Sequence, residues 1–315
     1  MPWNAAAPCY TLTMKRTWFE VGAANVERLW PEAGRAYRCP LCGRFFSSDG
    51  IGDLTEEHAP PESLGGKAVA LTCRPCNSRA GGTVDAAMGS QAELRRIAAR
   101  VMDKPIRARL RQSGHDVNVD VKFTPEGVQV FGLPERNDPA EYAGWIADMN
   151  KMTEDGSWGK VGEMRLTRRF KDPGRLGLVG WMRSAYVLAF AALGYTYAFN
   201  VRLKEVWRQL GDPSAEIVDA CFYRDLRHAP PANRLLMVEK PAEVQSILVQ
   251  MGRHAVFLPG ISHGSPEYAE LLAQVRAASD GRLGDRIAGN AVPWPTRPLH
   301  LLDPISVPVE ARDNY

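Results

Sequence analysis

The chain has 315 residues, of which 45% are hydrophobic and 24% charged, and a formal net charge of +3. That length holds two ordinary domains with a real core, and the composition is normal for a soluble globular protein, so it sets aside only the compositionally biased classes. A charge this small neither demands nor excludes a nucleic-acid partner, and local clusters have to decide.

Residues 1–8 carry no basic region and too short an apolar run for a secretory signal, so a reducing, cytoplasmic setting is expected. The most apolar stretch, residues 176–194, is interrupted by Arg183 and Ser184 and reads as a buried core helix in preference to a membrane span. No membrane partner is expected.

Residues 1–36 form a lead-in. Within it, 10–14 is expected as a strand and 19–30 as a short amphipathic helix stopped by Pro31. Residues 37–90 are rich in Cys, Gly and Pro, the make-up of a small fold that cannot close on hydrophobic burial alone. Residues 91–112 read as an exposed helix in which Arg96, Arg100, Lys104 and Arg107 fall three or four apart, making one basic face. Such a face suits a phosphate backbone, although a merely solvated face has the same look.

From His115 the pattern becomes mixed α and β. Val117, Val119, Val121 and Phe123 alternate, Pro125-Glu126-Gly127 turns, and Val128 and Val130 return, which predicts a hairpin. Asp138-Pro139 caps a helix whose apolar positions are Tyr142, Trp145, Ile146 and Met149. Residues 164–170 are expected as a strand, 179–193 as a long apolar helix closed by Gly194, and 203–210 as a helix ended at Gly211. Two apolar runs, 235–238 and 255–258, are expected to flank a helix at 243–249, before a Pro- and Gly-rich tail beyond 280. The expected division is 1–36 lead-in, 37–112 metal-stapled module with its basic helix, and 113–315 larger α/β accessory domain.

Six cysteines are present, and four of them form two knuckles, Cys39-Pro-Leu-Cys42 and Cys73-Arg-Pro-Cys76. Each CxxC turn offers two thiolates to one side of a tetrahedron, the arrangement zinc prefers. A disulfide pair or a redox dithiol is the alternative. A closed four-thiolate site leaves no open position, so this zinc is expected to be structural. Cys9 and Cys221 lack such partners and are expected to be ordinary buried thiols.

Between the knuckles run Leu54-Thr-Glu-Glu-His58-Ala-Pro-Pro-Glu-Ser-Leu-Gly-Gly-Lys67 and then Val69 to Thr72, and Asn77 follows the second knuckle. This stretch, from about residue 39 to 88, resembles the HNH endonucleases, nucleases of ββα-metal fold. The resemblance implies an α+β architecture with His58 as general base and Glu57 and Asn77 holding one divalent cation, Mg²⁺ or Mn²⁺. It further implies phosphodiester hydrolysis in DNA, with RNA not excluded, leaving 3′-hydroxyl and 5′-phosphate ends. Lys67 and Arg79 become candidate phosphate contacts beside Arg96, Arg100, Lys104 and Arg107.

One position departs from the family pattern: Ala68 stands where the family often has an Asn on the second strand. Asn77 could also serve as a helix cap. The alternative reading is a non-catalytic zinc module that binds nucleic acid or protein. His115, His228, His254, His263 and His300 have no comparable setting and are expected to be structural or on the surface.

Overall fold

The computed structural model describes residues 7–98, 105–157, 165–167, 174–218, 223–225, 232–277 and 287–302, the side chains of 7–13, 96–98, 223–225 and 301–302 excepted. Helix and sheet segregate along the chain in an α+β arrangement. The chain forms two compact units: Met1–Gly89 together with Pro173–Tyr315, and Ser90–Asp172 between them. A cut at residue 112 would fall between two paired strands, Ile106–Gln112 and His115–Thr124, so the expected boundary there is replaced by a discontinuous first unit.

The first unit opens with helix α1, Ala7–Leu29, which buries Trp18, Phe19, Ala23 and Val26 at helical spacing and ends just before Pro31. The strand expected at 10–14 is therefore overturned; those residues extend the same helix. Strands β1, Tyr37–Arg38, and β2, Phe45–Phe46, frame the first knuckle. Strands β3, Leu54–Ala59, and β4, Lys67–Cys73, pair antiparallel, and helix α2, Arg74–Gly82, follows directly, giving the ββα order. Helix α3, Val84–Ala98, comes next.

The same unit resumes with α5, Gly174–Leu193. This helix is apolar nearly all round and is accordingly buried. It is long and apolar enough to cross a membrane, but 89% of that window lies inside the protein. Gly194, at φ 80, closes it as expected. A short α6, Tyr195–Ala198, and α7, Lys204–Gly211, follow. Tyr186 on α5 donates its hydroxyl to the carbonyl of Pro40 at 2.8 Å, and Tyr195 donates to that of Arg38 at 3.0 Å. The apolar helix expected to form the core of an accessory domain is thus the floor on which the knuckles sit.

A five-stranded antiparallel sheet completes the unit: β9 (Tyr223–Asp225), β10 (Ala232–Lys240), β11 (Ser246–Gly252), β12 (His254–Pro259) and β13 (Ala288–Val292), ordered β13-β10-β11-β12-β9. The helix expected at 243–249 is corrected to β11. Its residues 246–251 are all buried between β10 and β12, and a central strand's continuous apolar run resembles a helix in sequence.

The second unit holds a four-stranded antiparallel sheet, ordered β7-β6-β5-β8, built from β5 (Ile106–Gln112), β6 (His115–Thr124), β7 (Gly127–Gly132) and β8 (Arg165–Thr167). The predicted hairpin is present as β6 and β7. Helix α4, Pro139–Glu154, starts at Asp138, whose carboxylate accepts from the amides of Ala140 and Glu141. Trp145 of α4 packs into a core with Ile106, Ala108, Leu110, Val117, Val119 and Val121.

Candidate functional site

The first knuckle is a tight turn in which the amide of Gly43 donates to the carbonyl of Cys39 at 2.9 Å, and Gly43 takes φ 70. The second lies at the start of α2, with Cys73 as its N-cap residue and Cys76 within the first turn. The two knuckles bring the Sγ atoms of Cys39, Cys42, Cys73 and Cys76 within 4.8 Å of one another. Tetrahedral zinc with Zn–S bonds of about 2.3 Å needs sulfurs roughly 3.8 Å apart, and Cys42 and Cys73 are at 3.6 Å. The donor set therefore fits zinc.

Arg44, which the sequence reading passed over, reaches both knuckles. Its Nε donates to Cys42 Sγ at 3.5 Å and its Nη2 to Cys73 Sγ at 3.3 Å. Hydrogen bonding from Cys39, with further help from Cys76 and Arg44, lowers the Cys73 thiol from its ordinary range. Cys9 and Cys221 fall outside the described side chains.

The β3–β4 hairpin carries the remaining site residues. Its register slips at a bulge between Glu57 and His58: Glu57 lies opposite Ala70, whereas His58 lies opposite Ala68. His58 is half-buried near the strand end. Ala68, the residue that departs from the family pattern, is thus His58's direct cross-strand neighbour. The loop beyond needs its glycines. Gly65 takes φ 84, and a Cβ on Gly66 would stand 1.5 Å from the carbonyl oxygen of Pro60.

Asn77 lies on α2, inside the helix and not at its cap. Its Nδ2 donates to Thr55 Oγ1 at 2.9 Å and to the carbonyl of Glu56 at 3.2 Å, which ties α2 to β3 and leaves Oδ1 out of those bonds. Thr55 Oγ1 in turn donates to the Thr72 carbonyl at 3.3 Å, and Thr72 Oγ1 donates to Glu57 Oε2 at 2.9 Å. Asn77 and Glu57 are therefore joined through two threonines on one face of the hairpin.

Glu57 is only 2% exposed, and its carboxylate meets a cation the sequence reading did not assign. Arg183 of α5 reaches it twice, Nη1 to Oε1 at 2.7 Å and Nη2 to Oε2 at 2.8 Å. Asp85 of α3 stands 3.6 Å from the same guanidinium. Its Oδ1 is buried without a hydrogen bond among the described residues, and burial pushes its carboxyl above the usual range. A cation coordinated by Glu57 would share it with Arg183.

Of the other predicted contacts, Lys67 is exposed at the start of β4, opposite Ala59. Arg79 donates to the Gly211 carbonyl at 3.4 Å and borders a 390 Å³ cavity lined also by Cys42, Cys76 and Arg183, which neither His58 nor Asn77 lines. Arg96 lies on α3 with its side chain outside the described set, and Arg100 and Lys104 lie outside the described residues. Arg107 is on β5, so the expected basic helical face does not extend to it.

The stretch thus has ββα order, four clustered thiols, and His58 and Asn77 on the hairpin and its helix. Residues 39–93 match the HNH endonuclease family. No curated protein and no solved structure matches the chain. The HNH match covers both knuckles, the β3–β4 hairpin, α2 and the first part of α3. It stops far short of Arg183, so the residue that holds Glu57 comes from outside the HNH stretch. Of the remaining histidines, His115 lies between Glu141 and Asp148 at 3.5 and 3.3 Å, His254 stacks on Trp181 at 3.8 Å, His300 is buried, His263 is exposed, and His228 lies outside the described residues.

Proposed function

We propose that the HNH module is a divalent-metal-dependent endonuclease acting on DNA in the cytoplasm, with zinc held by Cys39, Cys42, Cys73 and Cys76 as a structural staple. The observation that carries this reading is the placement of His58 just past the β3 bulge on the hairpin to which the Asn77 amide binds α2.

His58 takes a proton from water through a ring nitrogen, the water oxygen bonds to phosphorus, and the P–O3′ bond breaks. The departing oxygen is protonated to the 3′-hydroxyl and the 5′-phosphate remains on the other product. An imidazole is basic enough for this near neutral pH, and general-base assistance contributes roughly 10²–10⁴-fold. Asn77 Oδ1 and Glu57 would hold the divalent cation, which would supply charge neutralisation at the leaving oxygen. Asn77, tied to β3, fixes where that oxygen donor stands, and the bulge sets the direction of the imidazole.

Plasmid cleavage tests this. Wild-type chain with Mg²⁺ or Mn²⁺ is expected to nick or linearise DNA, EDTA abolishes cutting, and His58→Ala and Asn77→Ala each abolish it while zinc content is retained. Cleavage by His58→Ala at the wild-type rate overturns the assignment. A second reading, a zinc module that binds without cutting, is favoured by one observation: Glu57 is already engaged by Arg183. Under it, no metal supports cleavage of DNA or RNA.

A further inference from the structure

Helices α3 and α5 meet where α5 has a glycine. A Cβ on Gly180 would stand 2.5 Å from Met88 Cγ and Sδ and 2.9 Å from the Val84 carbonyl oxygen. One turn further along α5, Ser184 Oγ lies 4.0 Å from Met88 Sδ. Arg183 shares this face of α5 by its spacing from Gly180, and the close approach sets it beside Asp85 in the first turn of α3.

One guanidinium therefore serves two carboxylates, and it serves them unequally. Arg183 Nη1 is 2.7 Å from Glu57 Oε1 but 3.6 Å from Asp85 Oδ1, beyond hydrogen-bond reach. Glu57 has a further donor in Thr72 Oγ1, whereas Asp85 Oδ1 has no hydrogen bond among the described residues. A shift of Nη1 by about 1 Å would turn the longer contact into a charge-assisted hydrogen bond. Arg183 borders the 390 Å³ cavity, which gives its side chain room for that pivot.

Charge points the same way. Glu57, Asp85 and Arg183 together carry one net negative charge, so the trio accommodates a further cation. A divalent cation on Glu57 would repel the guanidinium. Without another carboxylate to go to, Arg183 would then be a buried ion with no counter-ion, which is the costly case. Asp85 is that other carboxylate.

We propose that Asp85 is a positioning residue for metal binding: it takes over Arg183 when Glu57 turns to a divalent cation. Until then Arg183 holds Glu57 in place, and its transfer keeps every buried charge paired. The role rests on the proposed reading of Glu57 as a metal ligand; the transfer itself rests on the Glu57–Arg183–Asp85 geometry.

Two readouts, neither of them cleavage, test it on the zinc-loaded full chain without nucleic acid. The first is Mn²⁺ affinity, followed by the electron paramagnetic resonance signal of the free ion. Glu57→Gln is expected to lose the site and Asp85→Asn to weaken it about tenfold. In an Arg183→Gln background Asp85→Asn has no further effect, because no guanidinium needs a new partner. The second is melting temperature without added divalent metal, which needs no change at Arg183 and so stands even if Arg183→Gln does not fold. In a Glu57→Gln chain Arg183 rests on Asp85, so Asp85→Asn should lower the melting temperature by about 5 °C more than it does in the wild type.

Equal effects on melting temperature in the two backgrounds overturn the transfer. So does a loss of Mn²⁺ affinity that persists in the Arg183→Gln background, which would make Asp85 a ligand itself. Glu57-dependent Mn²⁺ binding that ignores Asp85 removes this proposal alone. No Glu57-dependent binding in any variant removes the metal assignment on which it rests, whatever the melting temperatures.

Discussion

Arg183 and Glu57 form a two-point ion pair across 126 positions of sequence, with the guanidinium 7% and the carboxylate 2% exposed. The pair joins the HNH hairpin to the central helix α5. Glu57 has a second anchor in Thr72, and Arg183 has a second carboxylate in Asp85. A buried charge of this kind is tolerated because each group has partners, and removal of one partner leaves an uncompensated ion in the core.

Arg183→Met is accordingly expected to destabilise the chain by about 3–5 kcal/mol, since Glu57 and Asp85 are left without their cation. Pairing it with Glu57→Leu should recover much of that loss, because the double variant buries no unpaired charge at that contact. Urea unfolding midpoints of wild type, both singles and the double measure this. An Arg183→Met protein with the wild-type midpoint shows that the pair carries no structural weight.

The cysteine cluster makes a second prediction. One zinc ion per chain is expected by elemental analysis, and its removal by a strong chelator should cost on the order of 10 kcal/mol of local folding free energy. Cys42→Ser and Cys76→Ser should each release the metal and lower the melting temperature, whereas reducing agent has no effect on the wild type. Loss of stability on reduction, with no metal in the protein, is the result that replaces zinc with a disulfide.

What could be read from sequence was local. The knuckles, the Gly65-Gly66 loop, the β6–β7 hairpin and the Asp138 cap all depend on residues a few positions apart, and each is present. What could not be read depends on distance. Arg183 looked like an interruption in an apolar helix, because nothing near it in sequence announces Glu57. The first unit leaves the chain at Gly89 and resumes at Pro173, a return that composition does not mark. At 106–112 the cations alone have a spacing compatible with a helix. The residues between them, Ile106, Ala108 and Leu110, carry the period of two that the strand obeys.

The third prediction concerns Ala68. It sits directly across β3–β4 from His58, where side chains are about 5 Å apart at Cβ. Alanine there gives the imidazole no hydrogen-bond partner, whereas an asparagine amide is within reach. Ala68→Asn is expected to raise kcat for plasmid cleavage roughly fivefold, the effect of about 1 kcal/mol from one positioning hydrogen bond. Unchanged or lowered kcat, with the fold intact, would mean that this neighbour does not orient His58.

The fourth prediction concerns pH and lies away from the HNH hairpin. His300 is buried against Phe190, with ring centroids 4.5 Å apart, and its Nδ1 donates to the carbonyl of Ala191 at 2.8 Å. Nε2 is buried with no hydrogen-bond partner among the described residues. Burial pushes the imidazole down from 6.5 to about 4, against a smaller opposing effect of the Ala191 hydrogen bond. The folded chain therefore binds this proton less readily than the unfolded chain. His300 contributes its full stability above about pH 6.5, and that contribution falls away as pH drops towards 4, by about 3 kcal/mol in all. His300→Asn keeps a donor for Ala191 and removes the titration, so its urea midpoint should decline less than that of the wild type between pH 7 and pH 4.5. Parallel declines in the two proteins would show that the buried ring is not what acid attacks.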